Sequence, residues 1–305
     1  MNILCLCLSA TIQRTLTFDS FSAGQVNRTQ SWREDASGKA INTARVLNQL
    51  EPGCASALCP VGSANADTFM GLASRDNDLY IHPVFIEGKT RECWTVLDSK
   101  ADSTTEIIAD EALPENKIAG AEAELALIES VREYLENSDA FLFAGSRPKI
   151  WSANLCARIC DVAKSEGKFI FTDFIGEDLN GTLNECIPDV IKMNEAEFAK
   201  TFGSFSSEDE LLDKITKKSQ ELKNIVIVTR GEKDTLAAKN GKTYRCPSEK
   251  IKTVNTTACG DSFSAGFLHD YLINKDIEKA LKEGSRCAAL NAQTVVPGSI
   301  RLEQV

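Results

Sequence analysis

Histidine is nearly absent from this chain: His82 and His269 are the two among 305 residues. Eleven cysteines are present, yet no two stand in a Cys-x-x-Cys pair. Zinc cages need clustered ligands, so this pattern excludes a Cys/His metal centre as the organising feature. Cys156 and Cys160 share one helix face and read as core thiols, and the odd, unpatterned count suits a reducing compartment. A cytoplasmic location is the expectation. Positive charge is also short, with 34 Lys and Arg against 44 Asp and Glu and a net charge of −10. That balance excludes a nucleic-acid backbone as partner, and any anion must be held by a local cluster of cations. No apolar stretch approaches the ~20 residues that a membrane span requires, so no membrane partner is expected. The opening run Met1–Leu8 has no basic flank and reads as a buried strand rather than a signal peptide. Finally, no Gly-x-Gly-x-x-Gly turn follows that strand. Ser9-Ala10-Thr11-Ile12-Gln13-Arg14 stands there instead, which removes a nucleotide-dependent oxidoreductase.

What is present is a rhythm. Short apolar runs (Ile3–Leu8, Ala57–Val61, Ala140–Phe143, Phe169–Phe171, Val190–Ile191, Ile225–Val228) alternate with helical patterns over 41–50, 120–136, 151–164, 207–222, 261–273 and 276–294. With 43% apolar residues the chain can bury a large core, and the alternation predicts an α/β fold with a mostly parallel sheet covered on both faces. The length prior of about two domains yields to one, because α/β folds of this size often form a single domain. Each run ends in a polar or small residue: Ser9, Gly62, Gly145, Asp173, Asn194 and Thr229. Ligands of open α/β sheets gather beyond the carboxyl ends of strands, so these residues mark the edge that carries the site. Thr15–Phe18, the residues around Val26–Trp32, Cys93–Leu97 and Thr105–Ala109 break the rhythm and read as hairpin strands inserted into the main domain.

Thr256-Thr257-Ala258-Cys259-Gly260-Asp261-Ser262-Phe263 is the most informative stretch. A polar turn runs into a helical pattern and aims free backbone N–H groups at one point. The helix dipole adds positive potential there, which suits a phosphate. Asp261 in the first turn is placed to accept a proton, although a carboxylate there also stabilises a helix by itself. Lys39 lies in a Ser-Gly-Lys-Ala turn that opens a helix, a natural anion seat, and Arg91 could fork onto phosphate oxygens.

The octet resembles the signature of the ribokinase-like (phosphofructokinase B) carbohydrate kinases, Asp-Thr-Thr-Gly-Ala-Gly-Asp-Ser-Phe. Ala36-Ser37-Gly38-Lys39-Ala40-Ile41-Asn42-Thr43-Ala44-Arg45 is similar to the family's other signature. Gly24–Arg28, Thr90-Arg91, Ala144–Pro148, Lys192–Glu197 and Asn291–Thr294 are similar to its hexose-phosphate branch, so the likeness runs along essentially the whole chain. The resemblance implies a single three-layer αβα domain over 1–305, with a β-sheet lid from about 12–36 and 86–110 that could also form a homodimer contact. It implies an ATP-dependent kinase acting on a sugar phosphate, with Mg²⁺ as cofactor. Asp261 would be the general base, and the N–H groups of Ala258, Cys259 and Gly260 the anion hole. The sugar phosphate would meet Gln13, Gly38, Lys39, Asn42, Arg91 and Ser146. ATP would meet Lys192, Asn194, Thr229, Gly231 and Asn291, with Glu197 and Asp173 acting on the metal through water. A tagatose-6-phosphate kinase, another sugar kinase of the family, or a non-catalytic sugar-phosphate or nucleotide sensor are the alternatives.

Three departures qualify that picture. Gln13 replaces the family's sugar-binding Asp, so a different hydroxyl pattern is expected in the acceptor. Ala40 and Ala258 stand where the family has glycine, and either is strained only if its φ is positive. Cys259, beside the anion hole, is the thiol whose oxidation would bear on activity.

Overall fold

The computed structural model describes residues 1–109 and 120–301. Strand β1 (Ile3–Leu6) lies between β4 (Ala55–Gly62) and β8 (Ala140–Ala144), parallel to both. Strands β9 (Phe169–Asp173), β10 (Val190–Asn194) and β11 (Ile225–Arg230) continue the sheet in parallel on one side, and β5 (Ile81–Ile86) on the other. An antiparallel hairpin, β12 (Lys233–Lys239) and β13 (Lys242–Cys246), closes the β11 edge, giving nine strands among the described residues.

Both faces of this sheet are buried, which is why β1 reads as an unbroken apolar run. Successive side chains alternate: Ile3 and Cys5 enter one core, Leu4 and Leu6 the other. Helices α1 (Lys39–Leu50), α8 (Cys259–Asn274) and α9 (Ile277–Ala292) bury Ile41, Leu47, Phe263, Phe267 and Leu281 in the first core. Helices α3 (Ala121–Leu135), α4 (Leu155–Ser165), α5 (Gly176–Glu185), α6 (Glu195–Phe202) and α7 (Glu208–Leu222) supply Leu127, Ile159, Leu179, Phe198 and Ile215 to the second. Each such side chain contributes roughly 1.5–3 kcal/mol on burial. Helix α2 (Ala66–Ala73) joins β4 to β5.

A second sheet has the order β3-β2-β6-β7, from β2 (Thr11–Phe18), β3 (Trp32–Ser37), β6 (Arg91–Asp98) and β7 (Ser103–Ile108). The α/β alternation and the extra sheet are as expected, but several boundaries are not. The strand expected around Val26–Trp32 begins only at Trp32, because its core-facing members hide among Arg33, Glu34 and Asp35. Ile86 belongs to the larger sheet rather than the smaller one, and residue 110 lies outside the described residues. The β12–β13 hairpin was passed over, although Asn240-Gly241 between its strands is a strong two-residue turn signal, both with positive φ.

Candidate active site

A cleft of about 430 Å³ opens between the smaller sheet and the carboxyl ends of β10 and β11. Twelve of the sequence-predicted residues line it: Gln13, Gly38, Lys39, Asn42, Arg91, Lys192, Asn194, Glu197, Thr229, Ala258, Gly260 and Asp261. They come from two sheets and three helix N-termini, those of α1, α6 and α8, brought together only by the fold.

Asp261 lies in the first turn of α8 and is buried. Its Oδ2 accepts from Asn42 Nδ2 at 2.9 Å. Asn42 is in turn fixed by Ser37 Oγ and by the buried guanidinium of Arg45, both donating to its Oδ1 at 2.9 Å. Burial pushes the Asp261 carboxyl up to about 6, with Asp173 adding to the rise and Lys39, Asn42 and Lys192 opposing it. A carboxyl poised near 6 is ionised at neutral pH yet basic enough to take a proton.

The turn before Asp261 resolves the alanine question. Ala258 adopts φ 65°, ψ 9°, the left-handed conformation, whereas Ala40 is ordinary α-helix. The left-handed geometry costs an alanine roughly 1–2 kcal/mol, partly offset by the greater freedom that glycine has when unfolded. Ala258→Gly is therefore expected to raise stability by about 0.5–1 kcal/mol. Urea unfolding checks this, and a destabilised variant would contradict it. Among the described residues nothing accepts from the Ala258 or Gly260 N–H, while Cys259 N–H is turned back onto Thr256 O at 3.3 Å. Of the three amides expected to form an anion hole, the Ala258 and Gly260 N–H groups are the two without an acceptor among the described residues.

Two cations gather beside this turn. Lys192 Nζ is 2.7 Å from Asp173 Oδ2, and Lys39 Nζ is 3.0 Å from Asp173 Oδ1 and 3.3 Å from Glu197 Oε1. Burial alone would push the Asp173 carboxyl up, but the two ammonium groups outweigh it and hold it at about 2. Burial disfavours the Lys39 charge, and Asp173, Glu197 and Asp261 overcome that and raise its pKa. A Cβ on Gly260 would stand 2.9 Å from Lys192 Nζ, so a glycine there lets α8 approach this amine. Gly38, at φ 139°, is required for the same sort of reason: a Cβ would meet Cys7 Sγ at 2.8 Å.

Several assignments change. Lys39, expected at the substrate phosphate, points its amine at Asp173 at the end of β9 and at Glu197 in α6, beside Lys192. Asn291 is 1% exposed and fully engaged: Nδ2 donates to Thr257 O at 2.8 Å, and Oδ1 accepts from Gly298 and Ser299 N–H. It braces the α8 turn and has no side-chain group left for a ligand. Ser146 and Gly231 lie outside the cleft lining, Ser146 exposed and Gly231 in the β11–β12 turn at φ 61°. Arg147, in the Ala144–Pro148 stretch, is bound to Asp178 at 2.6 Å and to Trp151 O. Burial pushes the Cys259 thiol up to about 11, which leaves it a thiol rather than a reactive thiolate at neutral pH. Asn194 and Glu197 form a reciprocal capping box at the start of α6. Thr11, Cys93, Trp94, Glu106 and Ile108 also line the cleft without having been expected there, as do Ser37, Thr256 and Thr257 from the two signature-like stretches. The alternation of β2 and β6 was the available signal, since every second residue of a strand shares a face.

The sequence model of the pfkB family carbohydrate kinases matches residues 2–302. The chain therefore belongs to that family and is a phosphotransferase of the sugar kinase class. Its fold is shared with phosphofructokinase-2 of Escherichia coli in a tetrameric inhibited form, at TM-score 0.85 and 18% identity, covering 95% of this chain and 94% of that one. A Thermotoga maritima protein described as a possible 1-phosphofructokinase matches at TM-score 0.84 and 18% identity, over 99% and 94% of the two chains. The Escherichia coli enzyme has also been solved with fructose-6-phosphate, and that structure matches at TM-score 0.83 and 18% identity over 95% and 93%. Among the described residues, no helix is long and apolar enough to cross a membrane.

Proposed function

We propose that this chain is an ATP-dependent sugar-phosphate kinase, specifically a 1-phosphofructokinase that converts fructose 1-phosphate and ATP to fructose 1,6-bisphosphate and ADP. The observation that carries the reading is Asp261, buried and held by Asn42 at 2.9 Å, in one cleft with the Ala258 and Gly260 amides, Lys39, Lys192 and Arg91. Asp261 takes the proton of the acceptor hydroxyl as its oxygen attacks the γ-phosphorus, and ADP leaves. The two amides stabilise charge on the transferred group, each worth about 3 kcal/mol in the transition state. Lys192 and Lys39 meet the donor phosphates, and Arg91 the acceptor phosphate. The smaller sheet acts as a lid over the acceptor, excluding water. Its outward face exposes Trp32 and Ile107, which a second copy of the chain would cover.

Among the described residues no three His, Cys, Asp or Glu groups converge on a metal site, and Asp173 and Glu197 are paired with lysine. That donor set fits a Mg²⁺ carried by the ATP phosphates and reached from Glu197 and Asp173 through water, where it would neutralise phosphate charge.

The test is ADP release with Mg-ATP on fructose 1-phosphate, fructose 6-phosphate, tagatose 6-phosphate and free fructose. Turnover confined to fructose 1-phosphate supports the full reading, and preference for tagatose 6-phosphate moves the substrate within the same class. Silence on all four, with ATP and sugar phosphate still binding by calorimetry, would sink the kinase reading in favour of a sensor. Arg91→Ala is expected to raise the KM for the sugar phosphate at least about tenfold, the worth of a charge-assisted hydrogen bond. An unchanged KM would put that phosphate elsewhere.

A further inference from the structure

The inner face of the smaller sheet is polarised. Along β6, Arg91, Cys93 and Thr95 point the same way, and their cross-strand partners are Thr11, Gln13 and Thr15 on β2. On the other side, Ile108 stands opposite Cys93, and Glu106 opposite Thr95. Arg91, Gln13, Cys93, Ile108 and Glu106 all line the cleft. The sheet thus presents a cation at one end and a carboxylate at the other. The two are ~13 Å apart along the strand direction and one strand over, with neutral groups between.

Glu106 is exposed, and one of its carboxylate oxygens is hydrogen-bonded. Glu106 Oε1 accepts from Thr257 Oγ1 at 3.1 Å, and Thr257 Oγ1 is 3.4 Å from Thr95 Oγ1, which accepts from Gln13 Nε2 at 2.9 Å. Thr257 is itself fixed through its backbone, N–H to Asn255 Oδ1 at 2.9 Å and carbonyl to Asn291 Nδ2. Among the described residues, nothing donates to Glu106 Oε2. A carboxylate with an unused oxygen at a cleft wall accepts hydrogen bonds from neutral hydroxyls and repels a second anion.

We propose that Glu106 is a specificity-determining residue, reading hydroxyls at the end of the acceptor remote from Arg91 and restricting the acceptor to a single anionic group. This rests on the sugar-phosphate reading and deepens it: the acceptor is a monophosphate with its anion toward Arg91 and a hydroxyl-bearing end toward Glu106. Gln13 fits the same selection, because it donates one amide N–H to Thr95 and adds no charge to the middle of the row.

The experiment is steady-state kinetics of Glu106→Gln, which keeps the side-chain length and an acceptor for Thr257 while removing the charge. The KM of the best sugar phosphate is expected to rise about tenfold, as for one hydrogen bond to a charged group, with the KM for ATP unchanged. Inhibition by a hexose bisphosphate, anionic at both ends, is expected to tighten by a similar factor. Unchanged acceptor KM and unchanged bisphosphate inhibition would overturn the proposal. So would Thr257→Val, which keeps the carboxylate, if it tightened bisphosphate inhibition equally. Failure of the underlying reading is seen separately, as a wild-type protein that turns over only unphosphorylated sugars.

Discussion

Asp261→Asn is expected to lower turnover by about 100-fold or more while ATP still binds, since general-base catalysis contributes ~10²–10⁴-fold. The substitution is nearly isosteric. Its amide can still occupy the pocket beside Asn42, but it cannot take a proton. The pH profile supplies an independent check. The Asp261 carboxyl is pushed up to about 6, so kcat/KM of the wild type should rise with pH through an acid limb near 6 and level off above it. In Asp261→Asn the residual activity should lack that limb. The stability linkage has the opposite sign. The folded state holds a proton on Asp261 that the unfolded chain releases near pH ~4, so this group's contribution to stability falls as pH rises from ~4 to 6. The burial that raises this carboxyl therefore carries some cost in stability. Near-normal turnover, or a limb that persists in the variant, would remove Asp261 as the base.

Asp173→Asn is expected to have the largest effect on the fold. Asp173 is 1% exposed and neutralises both Lys192 and Lys39, joining β9, β10 and the start of α1. Glu197 still partners Lys39 in the variant, but Lys192 loses the carboxylate that compensates its burial. Breaking a buried pair from one side costs about 3–5 kcal/mol, so Tm should fall by about 10 °C. With the ATP phosphates on the same two amines, as proposed, ATP should recover more Tm in Asp173→Asn than in the wild type. Thermal unfolding with and without ATP measures both effects. Equal ATP shifts in the two proteins would mean that the donor phosphates do not meet these lysines. Asp173, held at about 2, contributes stability that is present above pH ~4 and lost as pH falls toward 2, and the variant should lack this part of acid unfolding.

How much of this was legible in the chain can be read from particular residues. The octet around Asp261 announced both the helix start and the free amides, because a turn followed by a helical pattern leaves the first N–H groups without acceptors whatever the rest of the fold does. The ends of β9, β10 and β11 were legible too. Asp173, Asn194 and Thr229 interrupt apolar runs, and in the fold Asn194 and Thr229 line the cleft while Asp173 lies under its lysines. Strand β3 was less legible. It lies at an edge, and Arg33, Glu34 and Asp35 mask the alternation that a half-buried strand usually shows. Glu106 gave no local signal, since a lone carboxylate on an exposed hairpin strand reads as solvation.

By itself, then, the sequence determined the α/β architecture, the family and the turn and helix start around Asp261. All of these depend on spacings of two to four residues, over which backbone geometry is local. Tertiary structure decided what those groups touch. Asn42 reaches Asp261 across 219 residues, and Lys39 reaches Asp173 across 134. Asn291 spends its amide on a turn 34 residues away. The order of strands in the sheet sets such pairings. It also made Lys39 a partner of Asp173, Asn291 a brace and Glu106 a wall of the cleft, because a side chain's charge is local but its field acts on whatever the fold brings near.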